Sequence, residues 1–159
     1  MRVCILGQIL DAYKGGNHLP LLAACKNTEF TILTNRTKPR DPDLPSNVKV
    51  LTLGKRIGSF YYGFADWLYA YHLLKAYPPS DPFWQQFDVI HLNQTMGTRM
   101  LKLIKTGVPV LYTVHHPSTV DREVALKEST FCEGLQWRAK YALLVRWQKK
   151  LCRKMPHIM

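Results

Sequence analysis

Short apolar runs alternate with segments of helical periodicity along the chain. The runs at residues 3–6 and 108–114 are continuously apolar, which is typical of parallel strands buried on both faces of a sheet. The run at residues 30–34 is rich in the β-branched and aromatic residues that favour strands. We therefore predict strands at residues 3–6, 30–34, 48–53, 87–92 and 108–114, and a charged loop with three prolines at residues 35–47.

The segments between these runs have the features of helices. Asn17 is a typical N-cap for a helix over residues 18–26, and Gly107 is a typical C-cap for a helix over residues 96–105. Because helices and strands alternate, we predict an α/β fold: a Rossmann-like parallel sheet with helices on both faces. Two longer helices are predicted at residues 60–77 and 122–152, the second with a break near Gly134. The first is amphipathic, and its apolar stripe comprises Phe60, Phe64, Trp67, Leu68, Tyr71 and Leu74.

Composition narrows the choice of partners. Lys and Arg number 22 against 11 Asp and Glu, a formal net charge of +11, which favours an anionic partner such as a sugar nucleotide, a phospholipid surface or nucleic acid. A soluble protein with a basic surface has the same composition. No nucleic-acid-binding signature accompanies the charge, so nucleic acid is the least favoured partner. No segment has the roughly 20 apolar residues of a spanning helix, so any membrane contact is expected to be peripheral.

The four cysteines, Cys4, Cys25, Cys132 and Cys152, are scattered and form no CxxC pair. A zinc or redox site is therefore not expected. Reduced cysteines in apolar runs act as small hydrophobic residues, which favours a cytoplasmic location.

The last predicted helix is strongly basic. No acidic residue follows Glu133, whereas seven basic residues do. Together with Trp137 and Trp147, they could form a surface for anionic lipid. A helix with an inward apolar stripe and cations near its C-terminus has the same pattern, and we favour that interpretation. The basic residues are Arg138, Lys140, Arg146, Lys149, Lys150, Arg153 and Lys154.

Candidate chemistry lies beyond the carboxyl ends of the predicted strands, where open α/β sheets bind ligands. In the loop predicted at residues 7–16, Gly15 and Gly16 would let the backbone approach a diphosphate beside a helix N-terminus. A glycine pair before a helix is also often only a turn. After the fourth strand, Asn93 and Gln94 offer amide groups to a substrate.

Two imidazoles follow the fifth strand directly. A neutral imidazole accepts a hydroxyl proton or hydrogen-bonds a sugar hydroxyl, and we assign His115 and His116 to catalysis. Ser118 and Asp121 are assigned to substrate binding, and Asp121 could also orient one ring. The alternative is a histidine satisfied by loop backbone. No third ligand is spaced for a metal site, and no GxSxG elbow indicates a serine hydrolase.

Four segments, in register over the whole chain, resemble the glycosyltransferases of family 4. The opening strand is followed by Gly-Gly before a helix, "FDVIHLNQ" resembles the family's D-V-I-H strand, and "PVLYTVHHPSTVDRE" resembles its P-x-V-x-T-x-H strand and turn. The long helix and "RKMPHIM" resemble the approach to a sixth strand. The resemblance implies the N-terminal half of a GT-B fold, in which two Rossmann-like domains face each other across a cleft.

This resemblance also implies a function. Residues 1–159 would be the acceptor-side domain, and the C-terminal domain that holds the nucleotide sugar would be absent. Gly15 and Gly16 would lie near the donor diphosphate, and His115 would contact the transferred sugar or the acceptor. The expected reaction is a retaining transfer from a nucleotide sugar to a sugar or lipid acceptor, with no cofactor and no metal. We expect negligible activity from this chain alone.

The residues themselves also allow an alternative function to the one that the resemblance implies. The net charge and the basic last helix also fit a stand-alone module that binds a nucleotide or an anionic lipid surface. We expect a cytoplasmic location in either case, and binding to anionic lipid would place the protein peripherally at the membrane.

Overall fold

The computed structural model describes residues 1–10, 18–37, 44–53, 62–93, 97–115 and 117–159. The strands are β1 (Arg2–Leu10), β2 (Glu29–Thr37), β3 (Val48–Thr52), β4 (Val89–Asn93), β5 (Val110–Thr113) and β6 (His157–Ile158). The α-helices are α1 (His18–Ala24), α2 (Tyr62–Ala76), α3 (Ser118–Lys127) and α4 (Phe131–Lys154), and two 3₁₀ helices span Pro82–Gln86 and Thr98–Thr106. None of the helices in these ranges is long and apolar enough to span a membrane.

The six strands form one sheet in the order β3-β2-β1-β4-β5-β6, and every neighbouring pair is parallel. All strands therefore end at one edge, which we call the carboxyl edge. The strand order reverses between β1 and β4, which is the switch point where folds of this class open a crevice. The predicted Rossmann-like parallel sheet is confirmed.

Helices cover both faces of the sheet. On β1, Cys4 and Leu6 belong to the larger core, which contains residues of α2, α4 and both 3₁₀ helices. Val3 and Ile5 belong to the smaller core on the opposite face, where Leu22 of α1 packs. Successive side chains of a strand point to opposite faces, so a continuously apolar β1 can fill both cores.

Two predicted loops are partly strand. β1 continues through Gly7 to Leu10, and β2 continues to Thr37, because their parallel ladder extends to the pair Leu10 and Thr37. The ladder is made by backbone groups, so polar side chains such as that of Asn35 do not end it. The predictions that a loop begins at Gly7 and that residues 35–47 are all loop are therefore wrong.

The predicted break in the last helix is displaced. The chain leaves α3 after Lys127 and begins α4 at Phe131, so the break precedes Gly134, which is buried inside α4. Thr130 and Glu133 form a capping box: the Glu133 carboxylate accepts hydrogen bonds from the Thr130 backbone N–H and hydroxyl. This box satisfies backbone donors at the helix start and fixes the break there.

The buried face of α2 also differs from the predicted stripe. Tyr69, Ala70 and Leu73 are fully buried, whereas Tyr71, placed in the stripe, is 36% exposed. Tyr69 faces the sheet because its hydroxyl donates a hydrogen bond to the backbone carbonyl of Leu33 on β2. A buried tyrosine needs such a partner. Phe60, at the start of the predicted stripe, lies outside the described residues.

Candidate functional site

The carboxyl edge brings two predicted residues into contact. Asn93 is the last residue of β4, and His115 lies two residues beyond the end of β5, which is the neighbouring strand. His115 Nε2–H donates a hydrogen bond of 2.5 Å to Asn93 Oδ1. The imidazole is exposed, so a ligand at the edge can reach it.

A second polar pair lies two residues earlier along the same two chain segments. His91 Nε2 is 2.7 Å from Thr113 Oγ1. Their sheet neighbours Leu92 and Tyr112 point into the larger core, so these residues, like Asn93 and His115, project from the opposite face. We call His91, Asn93, Thr113 and His115 the polar strip.

The polar strip orients the exposed ring. With Nε2–H donating to the Asn93 amide oxygen, the neutral imidazole carries its lone pair on Nδ1. A protonated ring makes the same bond, so Asn93 holds the ring in either state. This arrangement presents an oriented imidazole at the carboxyl edge, where a substrate hydroxyl can contact it.

Sequence reasoning missed His91 and Thr113. They stand two residues before Asn93 and His115, and this period of two was the available signal, since it places all four side chains on one face. Their contact could not be inferred without knowing that β4 pairs with β5 in this register.

Ser118 has a different environment from the predicted one. The residue is only 4% exposed, and its backbone N–H donates a hydrogen bond of 2.8 Å to Oε1 of the buried Gln148 on α4. This bond fixes the start of α3, and therefore the turn that carries His115. Substrate binding by Ser118 stays a prediction that its burial does not favour.

Asp121 lines a groove between α3 and α4 rather than the polar strip. The groove has a volume of about 480 Å³. Its lining combines acidic residues, which accept hydrogen bonds, with two aromatic residues, which stack against the rings of polar compounds. Its remaining lining includes Glu128, Glu133, Trp137 and Tyr141.

Three ionisable residues on α2, α3 and α4 interact near this groove: Asp66, Asp121 and Lys140. Burial raises the pKa of Asp66 to about 8, although the positive charge of Lys140 acts in the opposite direction. Burial lowers the pKa of Lys140, and the charges of Asp66 and Asp121 partly offset that effect. The Lys140 ammonium also lies 4.3 Å from the centre of the Trp137 ring, in cation–π contact. Nothing in the sequence pattern marked Asp66 or Lys140 as neighbours.

Gly97 brings the segment after β4 against α2. A Cβ at this position would lie 3.2 Å from the Trp67 backbone, so a larger residue would push the segment away. The close approach places Gly97, which follows β4 in the chain, beside the turn of α2 that carries Asp66.

The other predicted site residues are not covered by the structure. Gly15, Gly16, Gln94 and His116 lie outside the described residues, as does the predicted cap Asn17. Their assigned roles stay predictions.

The fold is shared with a solved enzyme structure. Sucrose-phosphate synthase from Thermosynechococcus elongatus is similar over 99% of this chain and 47% of that chain, with a TM-score of 0.51 and 13% identical residues. At this identity the similarity shows the GT-B type of fold alone.

Sequence comparison adds the family. The chain is 40% identical over 73 residues to the MMP α-(1→4)-mannosyltransferase of Mycolicibacterium hassiacum, an alignment that covers 46% of this chain and 18% of that protein. The chain thus covers less than half of the length of either relative. The model of the family named Glycosyltransferase Family 4 matches residues 22–159. Since this match covers most of the sequence, the chain belongs to glycosyltransferase family 4.

Proposed function

We propose that this chain is the acceptor-binding half of a retaining glycosyltransferase, which moves a sugar from a nucleotide-sugar donor to an acceptor. The observation that supports this most directly is the exposed His115 imidazole, oriented by Asn93 at the carboxyl edge of a family-4 domain. In this proposal the donor binds mainly to a second domain across the edge. The chain is therefore inactive alone.

His115 acts by positioning the acceptor. Its ring accepts a hydrogen bond from an acceptor hydroxyl and holds the oxygen towards the anomeric carbon of the donor. Asn93 keeps the ring from rotating. The contact between His91 and Thr113 holds the ends of β4 and β5 together. Correct placement of two reactants is a large part of catalysis when the protein forms no covalent intermediate.

A hexose is the sugar that the comparisons favour. The mannosyltransferase relative shares 40% identity over 73 residues, and its name specifies transfer of a mannose unit. The acidic and aromatic groove at Asp121, Trp137 and Tyr141 suits the hydroxyl groups and apolar ring faces of a sugar acceptor.

The test is a complementation assay. The chain is mixed with a separately produced nucleotide-sugar domain, and sugar transfer is measured over a panel of nucleotide sugars and acceptors. We expect transfer only in the mixture. His115→Ala should lower the rate roughly 10- to 100-fold, because one oriented hydrogen bond to the substrate is lost. Asn93→Ala should lower it about fivefold, since the ring stays but rotates.

His157→Ala is the matched control. His157 is also an exposed histidine of this sheet, but it lies on β6 away from the polar strip, so its removal should leave the rate unchanged. Full activity of His115→Ala in the mixture would reject the positioning role. Transfer by the chain without the second domain would reject the proposal that it is half of an enzyme.

A further inference from the structure

The outer face of α4 is exposed along its whole length. Seven residues at intervals of three or four lie on this side of the helix, and all are exposed. Phe131 is 91% exposed and Leu135 is 68% exposed. We call this surface the outer face of α4; it comprises Phe131, Leu135, Arg138, Ala142, Arg146, Lys149 and Arg153.

The two halves of this face differ in chemistry. The first turns carry the large apolar side chains of Phe131 and Leu135, and the remainder carries cations. Lys150 and Lys154 flank the basic half, and a shallow groove of about 420 Å³ runs among these basic side chains, with Ala142 and Val145 in its lining. From Phe131 to Arg153 the face is roughly 33 Å long at the rise of an α-helix.

No acidic side chain in the described ranges pairs with the basic half. No acidic residue occurs between Gly134 and the end of the chain. Within the described part of the chain, none of Arg146, Lys149 and Arg153 forms an ion pair, and neither does either flanking lysine. Unpaired cations on one face attract a polyanion, and two large exposed apolar residues at its end favour an apolar environment.

We propose that the outer face of α4 docks on the surface of an anionic phospholipid membrane. Phe131 and Leu135 enter the headgroup region, and the basic half faces the lipid phosphates, as in helices that lie in the plane of a membrane. An anionic membrane suits both halves of the face, because its phosphates meet the cations and its acyl boundary takes up the exposed phenylalanine and leucine. The predicted aromatic part of a lipid surface is corrected, because Trp137 and Trp147 are half-buried on the other side of α4.

Docking in this orientation has a consequence for the carboxyl edge. α4 leads into the start of β6, so its N-terminal end, with Phe131, lies on the side where the strands end. The membrane surface would then lie near the groove at Asp121. An acceptor attached to a lipid would reach that groove without leaving the bilayer.

Vesicle sedimentation tests the docking. The purified chain is mixed with vesicles of phosphatidylcholine alone, or with about a third phosphatidylglycerol, at roughly 0.05 M and 0.5 M salt. We expect at least tenfold stronger binding to the anionic vesicles at low salt. The triple variant Arg146→Glu, Lys149→Glu, Arg153→Glu should lose at least tenfold of that binding.

The matched control changes the same charge elsewhere. Lys26→Glu, Lys49→Glu, Lys75→Glu lowers the net charge equally at three exposed positions away from α4 and should retain binding within about threefold. Circular dichroism of both triple variants verifies that they are folded. Equal loss in the two triple variants would overturn the proposal, because net charge and not this face would then control binding.

The apolar part of the proposal has its own test. Phe131→Ser should lower the binding that survives high salt about tenfold, whereas Leu21→Ser, at a position 66% exposed on α1, should not change it. Competition with a DNA duplex separates the partners. If duplex displaces the chain and Phe131→Ser has no effect on vesicle binding, the face is a general polyanion site and the membrane proposal is wrong.

Discussion

At the scale of single residues, the polar strip shows what strand position does and does not reveal. Asn93 and His115 were predicted as site residues because polar groups after buried strands cluster at the carboxyl edge. Their hydrogen bond was not predicted, because it depends on the register of β4 against β5. Asp66 was not predicted at all, since the packing of α2 on α4 brings it to Lys140 over a long separation in sequence.

Asp66 gives a residue-scale prediction about stability. Its pKa is about 8 in the folded chain, above the ordinary value of 3.8, so the folded state holds this proton while the unfolded chain has released it. Stability from this residue is therefore lost as pH rises from about 4 to 8. Asp66→Asn should raise the free energy of unfolding by roughly 1–3 kcal/mol at pH 8 and little at pH 4, measured by urea denaturation.

Asp81→Asn is the control for this measurement. Asp81 is a half-buried aspartate that caps the 3₁₀ helix Pro82–Gln86, so its carboxylate is bound to a backbone N–H. Its replacement should not stabilise the chain as pH rises. A pH-independent effect of Asp66→Asn would show that the folded state does not retain the Asp66 proton.

At the scale of elements, the sequence predicted the order of strands and helices but not all their ends. The order follows from periodicity, which is a property of each segment. The ends of strands depend on their pairing with neighbouring strands, and the ends of helices depend on their caps. The break between α3 and α4 was predicted near Gly134, whereas the sequence Thr130-x-x-Glu133 already contained the capping-box signal for its position. Gly134 itself is buried in α4, where a Cβ would lie 3.3 Å from Ser129 Oγ.

The capping box gives a prediction for the helix pair. Thr130→Ala removes the side chain of the N-cap and should lower the free energy of unfolding by about 1 kcal/mol. Hydrogen bonds from Thr130 hold the pKa of Glu133 below its ordinary value, so the stabilisation is present at neutral pH and is lost as pH falls through the folded pKa. The difference between Thr130→Ala and the unmodified chain should therefore narrow in acid.

Urea denaturation at neutral and acid pH measures that difference. Thr119→Ala is the control, because Thr119 is exposed on α3, and it should change the free energy of unfolding by less than about 0.5 kcal/mol. A loss for Thr130→Ala that is constant with pH would contradict the role of Glu133.

At the scale of the whole molecule, the sheet and the helix packed on it present two surfaces of different chemistry. The carboxyl edge presents His115, and the outer face of α4 presents cations and Phe131. Both depend on the position of β5, because α3 starts just after it and α4 leads back to β6 beside it. Sequence alone predicted the parallel sheet and an inward apolar side of the last helix, but not that Phe131 and Leu135 are exposed. Leu151, on the packed side, is fully buried.

The four free cysteines test whether this sheet folds as one cooperative unit. Cys4 is fully buried near the start of β1, and burial raises the pKa of its thiol to about 12. Cys25 and Cys132 are exposed. At pH 8, an aromatic disulfide reagent should label the two exposed thiols at least ~10³-fold faster than Cys4, which becomes accessible only through global unfolding.

Peptide mapping by mass spectrometry assigns each labelled thiol, and the half-buried Cys152 near the end of α4 is an internal comparison. Cys152 is only half-buried, so its sulfur should react faster than that of Cys4 and more slowly than those of Cys25 and Cys132. If Cys4 is labelled as fast as the exposed thiols, the sheet opens without global unfolding, and it is then not one cooperative unit.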